Sequence, residues 1–248
     1  MPNIEIKEEG VLKQLNQLNV HKSTGPDGLS PYLLKMLAPS ISPRLTRIFK
    51  QSLALNENPE DWKIQFIAPI LKPRKEKTEA SSYRPIAITS VCSKILEHII
   101  YSQTMDHLDH FKILSSLQHG YRNGASTDTQ LLKIIDMLAK GMENKCQVDL
   151  ISLDFSRAFD IVPRERLLLK MRYYGINKLN PWIRNFLTNR KQTVLIDGIK
   201  SRFIEVTSGV CQGTVIAALC FLIFINDLPD TVKQSFTGIF CDDTQNGE

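Results

Sequence analysis

The sequence predicts an α+β fold. Helical apolar spacing and short extended segments both occur, and they do not alternate as regular βαβ units. Its 248 residues are enough for one large domain or two small ones with a buried core. With 42% hydrophobic and 23% charged residues the composition is that of an ordered globular chain.

The elements follow in order. Val11 to Val20 has helical spacing. Gly25-Pro26-Asp27-Gly28 marks a turn, Pro31 opens a second helical stretch through Leu37, and Pro43 is expected to start a third. Ile64 to Leu71 reads as a strand. It enters the basic loop of residues 72–77, and Arg84 to Ile88 resumes an extended chain, so the two form a hairpin. Ser90 caps a long helix to about Leu108. Another helix runs from Thr127, with Thr127 and Gln130 at capping-box spacing, to about Glu143. Val148 to Leu153 is a short apolar strand ending at Asp154.

Pro163 suits the first turn of a helix that Gly175 stops, and Pro181 begins the next, ending near Asn189. Thr193 to Ile196 and Arg202 to Val206 bracket Asp197-Gly198, a hairpin signal with a loop longer than two residues. Gln212-Gly213 precedes the longest apolar run, Val215 to Ile225, which fits a buried helix and is too short to span a bilayer. Phe236 to Cys241 is the last strand and runs into Asp242-Asp243.

The N-terminus lacks a basic-then-apolar signal pattern, and the five cysteines include no C-x-x-C pair. An intracellular, reducing setting without disulfides or structural zinc is expected, with no membrane partner. Net charge is +5 but uneven. Residues 164–191 are the most basic stretch. Arg164, Arg166, Lys170, Arg184, Arg190 and Lys191 in it are candidates for phosphate contact, with a solvated helical face as the alternative.

Two acidic positions follow apolar strands, Asp154 and the pair Asp242-Asp243. Carboxylates at the ends of neighbouring strands can meet. Their mutual repulsion and hard oxygen donors suit Mg²⁺, and two such ions can clamp the attacking and leaving oxygens of a phosphoryl transfer. Alone, an Asp-Asp pair is more often an acidic turn.

The pair is not alone. Lys22-Ser23-Thr24-Gly25-Pro26-Asp27-Gly28, Trp62 to Lys72, Tyr83-Arg84-Pro85-Ile86, Gln118-His119-Gly120-Tyr121-Arg122, Leu153 to Asp160, Thr207 to Gly213 and Phe240-Cys241-Asp242-Asp243-Thr244 occur in that order. Together they resemble the reverse transcriptase domain of non-LTR (LINE-like) retrotransposons over nearly the whole chain. The last three resemble that family's motifs A, B and C.

The resemblance implies a right-hand polymerase fold, with fingers at 1–145 and palm at 146–248. The palm is expected as an antiparallel sheet packed on helices. The implied activity is RNA-directed DNA synthesis from a primer 3′-hydroxyl, with RNA template, DNA primer and dNTP as partners and two Mg²⁺ ions, or Mn²⁺, as cofactor.

By the same resemblance Asp154, Asp242 and Asp243 are the catalytic carboxylates. The Phe155 carbonyl completes a metal shell, and Lys72 and Arg84 hold the triphosphate. Phe159 lies under the sugar and rejects a 2′-hydroxyl, or else is core packing. Gln212 and Gly213 line the nucleotide pocket. Asp160 is left out of the metal site, as a capping or salt-bridging acid. Cys211, Ala217-Ala218 and Cys241 depart from the motifs without removing a carboxylate. Only five residues follow Asp243, so the return strand of the motif C hairpin and the thumb are expected to be missing. An inactive remnant that at most grips RNA or primer–template is the competing expectation.

Overall fold

A computed structural model of the chain describes residues 1–232 and 236–247; residues 233–235 and 248 of the expected palm lie outside them. Eight helices and eight strands are named among the described residues: α1 Glu8–Asn16, α2 Pro31–Met36, α3 Ala38–Leu55, β1 Ile64–Leu71, β2 Tyr83–Ile88, α4 Val91–His110, α5 Thr127–Glu143, β3 Leu150–Leu153, α6 Arg164–Tyr173, α7 Asn180–Leu187, β4 Arg190–Ile196, β5 Ile199–Lys200, β6 Ile204–Val206, α8 Val215–Ile225, β7 Phe236–Phe240 and β8 Asp243–Gly247. The α+β class holds.

The core is helical. In α8, eight of eleven residues are buried, because it is apolar on every face and is surrounded by α4, α6 and the loops before it. Trp182 and Phe186 of α7 stack in the same core with Phe49 of α3 and Leu167 and Met171 of α6. The N-terminus of α8 is closed by two acceptors. Thr214 accepts the Ala217 N–H, and the buried Glu97 of α4 accepts the Val215 N–H at 2.8 Å. A carboxylate is well placed at the positive end of a helix, so α4 and α8 are joined by charge as well as by packing.

Two sheets flank this core. In the larger, β1 lies between β2 (antiparallel) and β4 (parallel), and β5 and β6 both pair with β4. The expected hairpin of Ile64 to Leu71 with Arg84 to Ile88 therefore holds, its connection running on past residue 77 to residue 82. The boundary expected at residue 145 does not follow the sheets, since residues 190–206 complete the sheet begun by β1 and β2. The smaller sheet is antiparallel, ordered β3-β8-β7.

Several expectations are corrected. Helix α1 begins three residues before Val11 and ends at Asn16. Pro43 lies inside α3, whose first turn holds Pro39; the helix passes through at the loss of one internal hydrogen bond. The capping box of α5 is Ser126 with Thr129, one residue before the expected pair, because both reciprocal bonds form there. Pro163 is the N-cap of α6 rather than part of its first turn. Asp197-Gly198 is a two-residue turn closing Ile196 on Ile199, with φ of 49° and 81°, the conformation that D-G favours. The largest correction concerns the end of the chain. The return strand of the last hairpin is present as β8, and it occupies the centre of its sheet.

Candidate active site

Strand register brings the acids together. Leu153 pairs with Thr244, so Asp154, the next residue, comes level with Asp243. Phe240 pairs with Asp243, which leaves Cys241-Asp242 as the two-residue turn between β7 and β8. The neighbour of β3 is thus β8, not β7. The Asp242 carboxyl is held above the usual range, chiefly by burial; its own backbone hydrogen bond opposes this, and the negative charges of Asp243 and Asp154 add to the rise. All three carboxylates act within one electrostatic neighbourhood. Among the described residues, no group of three or more His, Cys, Asp or Glu is arranged to hold a metal ion. The donors are nonetheless of the right chemistry, hard anionic oxygens that repel one another until a cation lies between them.

Behind the acids, the 155–164 segment is fastened to the 206–213 segment. Val210 N–H donates to Phe159 O at 2.8 Å and the Ser208 hydroxyl to Asp160 O at 3.0 Å. Gly209 has no room for a side chain, since a Cβ there would lie 2.4 Å from Asp160 O. Asp160 therefore contributes its backbone to the site. Arg164 spans the same junction, donating to the carbonyls of Val206, Ser208 and Gly209 at 3.0–3.1 Å. Gly213 (φ +93°) brings its backbone against Ala87 of β2, where a Cβ would be 2.8 Å from the carbonyl. A cleft of about 430 Å³ opens here, lined by Gln65, Pro85, Ala87, Asp160, Cys211 and Gln212.

Phe159 is half-buried. It stacks on Phe221 of α8 at 4.5 Å and meets the Tyr121 ring edge-on at 6.5 Å, so both its expected readings have a physical basis. The exposed Phe155 ring turns into a separate apolar groove with Phe221 and Phe224. Lys72 and Arg84 share one end of the β1–β2 hairpin. Lys72 is tied to it, its ammonium donating to Ser81 O at 2.9 Å, whereas Arg84 is exposed.

The basic segment does not form one face. Arg190 is 2% exposed, donates to Phe186 O and Trp62 O, and lies over the Phe186 ring, so it braces the core and does not meet phosphate. Lys170 pairs with Asp227 and Phe224 O, and Arg184 forms a two-pronged pair with Glu165. Arg164 is spent on carbonyls. Of the six candidates, Arg166 and Lys191 are exposed without such ties among the described residues. Charge density alone could not separate these roles, because helix periodicity on α6 and α7 and strand alternation on β4, where Arg190 and Lys191 sit, place successive basic residues on different faces.

Sequence reasoning assigned no role to Gln118, Gly120 and Tyr121, although it singled out their segment. Gln118 is buried against the β7–β8 turn, and Tyr121 lies against Cys241 and Phe159. Burial pushes the Cys211 and Cys241 thiols up to about 11, so both are held in the protonated, weakly nucleophilic form at neutral pH.

Comparison with known proteins settles the family. Residues 70–245 match the family model "Reverse transcriptase (RNA-dependent DNA polymerase)". The chain belongs to that reverse transcriptase family. It is 29% identical, over 92% of its length, to the RNA-directed DNA polymerase from mobile element jockey of Drosophila melanogaster. It is 27% identical, over 95%, to the probable RNA-directed DNA polymerase from transposon X-element of the same fly. It spans about a quarter of the length of each. Among solved structures, apo telomerase from Candida tropicalis, truncated from its C-terminal domain, superposes with a TM-score of 0.53. That match covers 84% of this chain and 48% of the other at 14% identity, a likeness of fold. No helix among the described residues is long and apolar enough to cross a membrane.

Proposed function

We propose that this chain carries the nucleotidyl-transfer site of an RNA-directed DNA polymerase of a mobile element, acting on an RNA template, a DNA primer and dNTP. The carrying observation is the register that sets Asp154 level with Asp243 and beside Asp242. In this reading Asp154 and Asp242, with the Phe155 carbonyl and Asp243, would hold two Mg²⁺ ions, or Mn²⁺ in their place. Such ions supply positive charge that eases deprotonation of the primer hydroxyl and stabilises the departing pyrophosphate.

The chain's own groups orient the substrate. Arg84 and Lys72 take the triphosphate as a fork and a point charge, which requires the Lys72 ammonium to leave Ser81 O. Phe159, braced by Phe221, closes the space a ribose 2′-hydroxyl would need. Gln212 and the side-chain-free Gly213 line the pocket wall. Arg166 and Lys191 are the members of the basic segment left to meet nucleic acid. A fingers part at 1–145 would be completed by the strands of 190–206, with the acids on the palm.

The test is primer extension on a homopolymer RNA template with Mg²⁺. It uses this chain and the chain continued by the segment that follows the corresponding region in the jockey relative. Incorporation of dNTP is expected, abolished in Asp154→Asn, which keeps shape but removes a charged ligand. Phe159→Ala should lower the ratio of deoxynucleotide to ribonucleotide incorporation. Full activity in Asp154→Asn would overturn the assignment. An unchanged sugar ratio with a lowered melting temperature would make Phe159 core packing. RNA binding without extension in both proteins would favour the inactive remnant.

A further inference from the structure

The turn that carries Asp242 has two features that the ladder cannot stabilise. Cys241 adopts a left-handed φ of +57°, unfavourable for a residue with a Cβ, and such strain persists only where the surroundings over-determine it. The peptide groups of a two-residue turn also lie outside the strand pairing and need partners elsewhere.

Both needs are met by one side chain from a distant segment. Gln118 is 4% exposed. Its Oε1 accepts the Cys241 N–H at 3.0 Å, and its Nε2 donates to Cys241 O at 3.3 Å. A carboxamide can do this because it carries a donor and an acceptor on one rigid plane. A carboxylate could only accept, and an apolar chain could do neither. The side chain is itself held, for Oε1 also accepts the Gly120 N–H at 2.7 Å. The Gln118 backbone forms a parallel bridge with Ile239, flanked by His119 N–H to Ile239 O and Ile239 N–H to Leu117 O. Gly120 permits the approach, since a Cβ there would lie 2.4 Å from both Cys241 N and Sγ.

We propose that Gln118 is a positioning residue for the reaction: by holding both backbone groups of Cys241 it fixes the direction in which the next residue, Asp242, presents its carboxylate toward Asp154. This rests on the reading that these two acids share a metal ion. Gln118 touches neither metal nor substrate in this role; it acts through the turn.

Two measurements on the intact chain separate the proposal from the reading beneath it. The first is hydrogen exchange at the amides of residues 239–243, without metal. The second is Mn²⁺ titration followed by electron paramagnetic resonance. Both compare wild type, Gln118→Met and Asp242→Asn. Gln118→Met, close in shape but unable to bond, should speed exchange at Cys241 by on the order of 10-fold. It should also weaken Mn²⁺ binding by about 10–100-fold, the usual effect of losing a group that orients a ligand. Melting followed by tryptophan fluorescence from the buried Trp62 and Trp182 reports whether the core stays folded. Should Gln118→Met not fold, Gln118→Asn, one methylene too short, carries the same expectations.

Unchanged exchange overturns the proposal. So does faster exchange with wild-type Mn²⁺ affinity, when Asp242→Asn has lost it. If wild type takes no Mn²⁺, the metal reading falls instead. The clamp is then decided by exchange alone, upheld if Cys241 is slow in wild type and fast in the variant, and rejected if the two match.

Discussion

The sheet built on β1 is bolted to the helical core, whereas β3, which leads to Asp154, is exposed at every position. Gln65 of β1 bonds to Gln192 of β4 at 2.9 Å, and Arg190 at the head of β4 reaches Phe186 O and Trp62 O inside the core. On β3, Leu150, Ile151 and Leu153 are 45%, 57% and 48% exposed. Its hold on the molecule is its ladder to β8. The contrast separates two ways of placing a side chain. Packing fixes the scaffold, while backbone register and the Gln118 carboxamide fix the acids.

The comparison breaks most easily at the level of stability. Phe186→Ala in α7 should cost about 3–5 kcal/mol, through lost burial and a cavity beside Trp182. Ile151→Ala on β3 should stay within about 0.5 kcal/mol, as for a surface change. Thermal or urea melting of the two variants checks this. Equal losses would mean that something covers β3 and that the two regions are supported alike.

A smaller effect sharpens the electrostatic side. Arg190→Met should lower the melting temperature, because it strips two buried carbonyls of a donor at about 1–3 kcal/mol, while the salt dependence of RNA binding stays as it was. The double variant Arg166→Ala/Lys191→Ala should leave melting alone and flatten the plot of log affinity against log salt by about 1–2 in slope. The reverse pattern would return Arg190 to the surface.

A last effect is an alkaline pH dependence carried by the buried thiols of the helical side, with Cys241 of the β7–β8 turn adding to it. Burial pushes the thiols of Cys92 and Cys220 up to about 12 and that of Cys211 up to about 11. The unfolded chain releases those protons near the ordinary thiol value, about 8.5, and the folded chain releases them later. The folded state therefore holds more protons between these values, and its stability falls as pH rises through that window. Melting temperature should drop from pH 8.5 toward pH 11, and less so in a Cys92→Ala/Cys220→Ala chain. At pH 8 the exposed Cys146 should alkylate first. Rapid native alkylation of Cys220 would mean the core opens far more than its packing allows.

Much of this was legible in the residues. Uniform apolarity named α8, D-G named a hairpin at Asp197-Gly198 though not its two-residue length or its partner β5, and the order of motifs named the family and the candidate acids. What failed to show had a common cause. The capping box of α5 moved by one residue because Ser126 and Thr129 satisfy both helix donors, a choice decided by geometry rather than by residue type. The strand β8, Asp243-Thr244-Gln245-Asn246-Gly247, is polar and has no apolar alternation to announce it; it is a strand because β3 and β7 supply partners on both sides. Arg164 and Arg190 read as surface charge because nothing local says that carbonyls 42 and 128 positions away will accept hydrogen bonds from them.

The sequence by itself determined which groups are on offer for the proposed chemistry: the identities of Asp154, Asp242 and Asp243, the glycines where backbone must come close, and the apolar run that becomes the central helix. These are properties of single residues and short spacings, and periodicity or motif order reports them. Only the tertiary structure decided that β8 stands between β3 and β7, that β4 joins β1, that Arg164 and Arg190 bond to carbonyls while Lys170 and Arg184 form ion pairs, and that Gln118 holds the turn beneath Asp242. Each of those depends on pairing between segments far apart in the chain. Such pairing is chosen by the sum of burial and hydrogen bonding over the whole molecule, which no local pattern records.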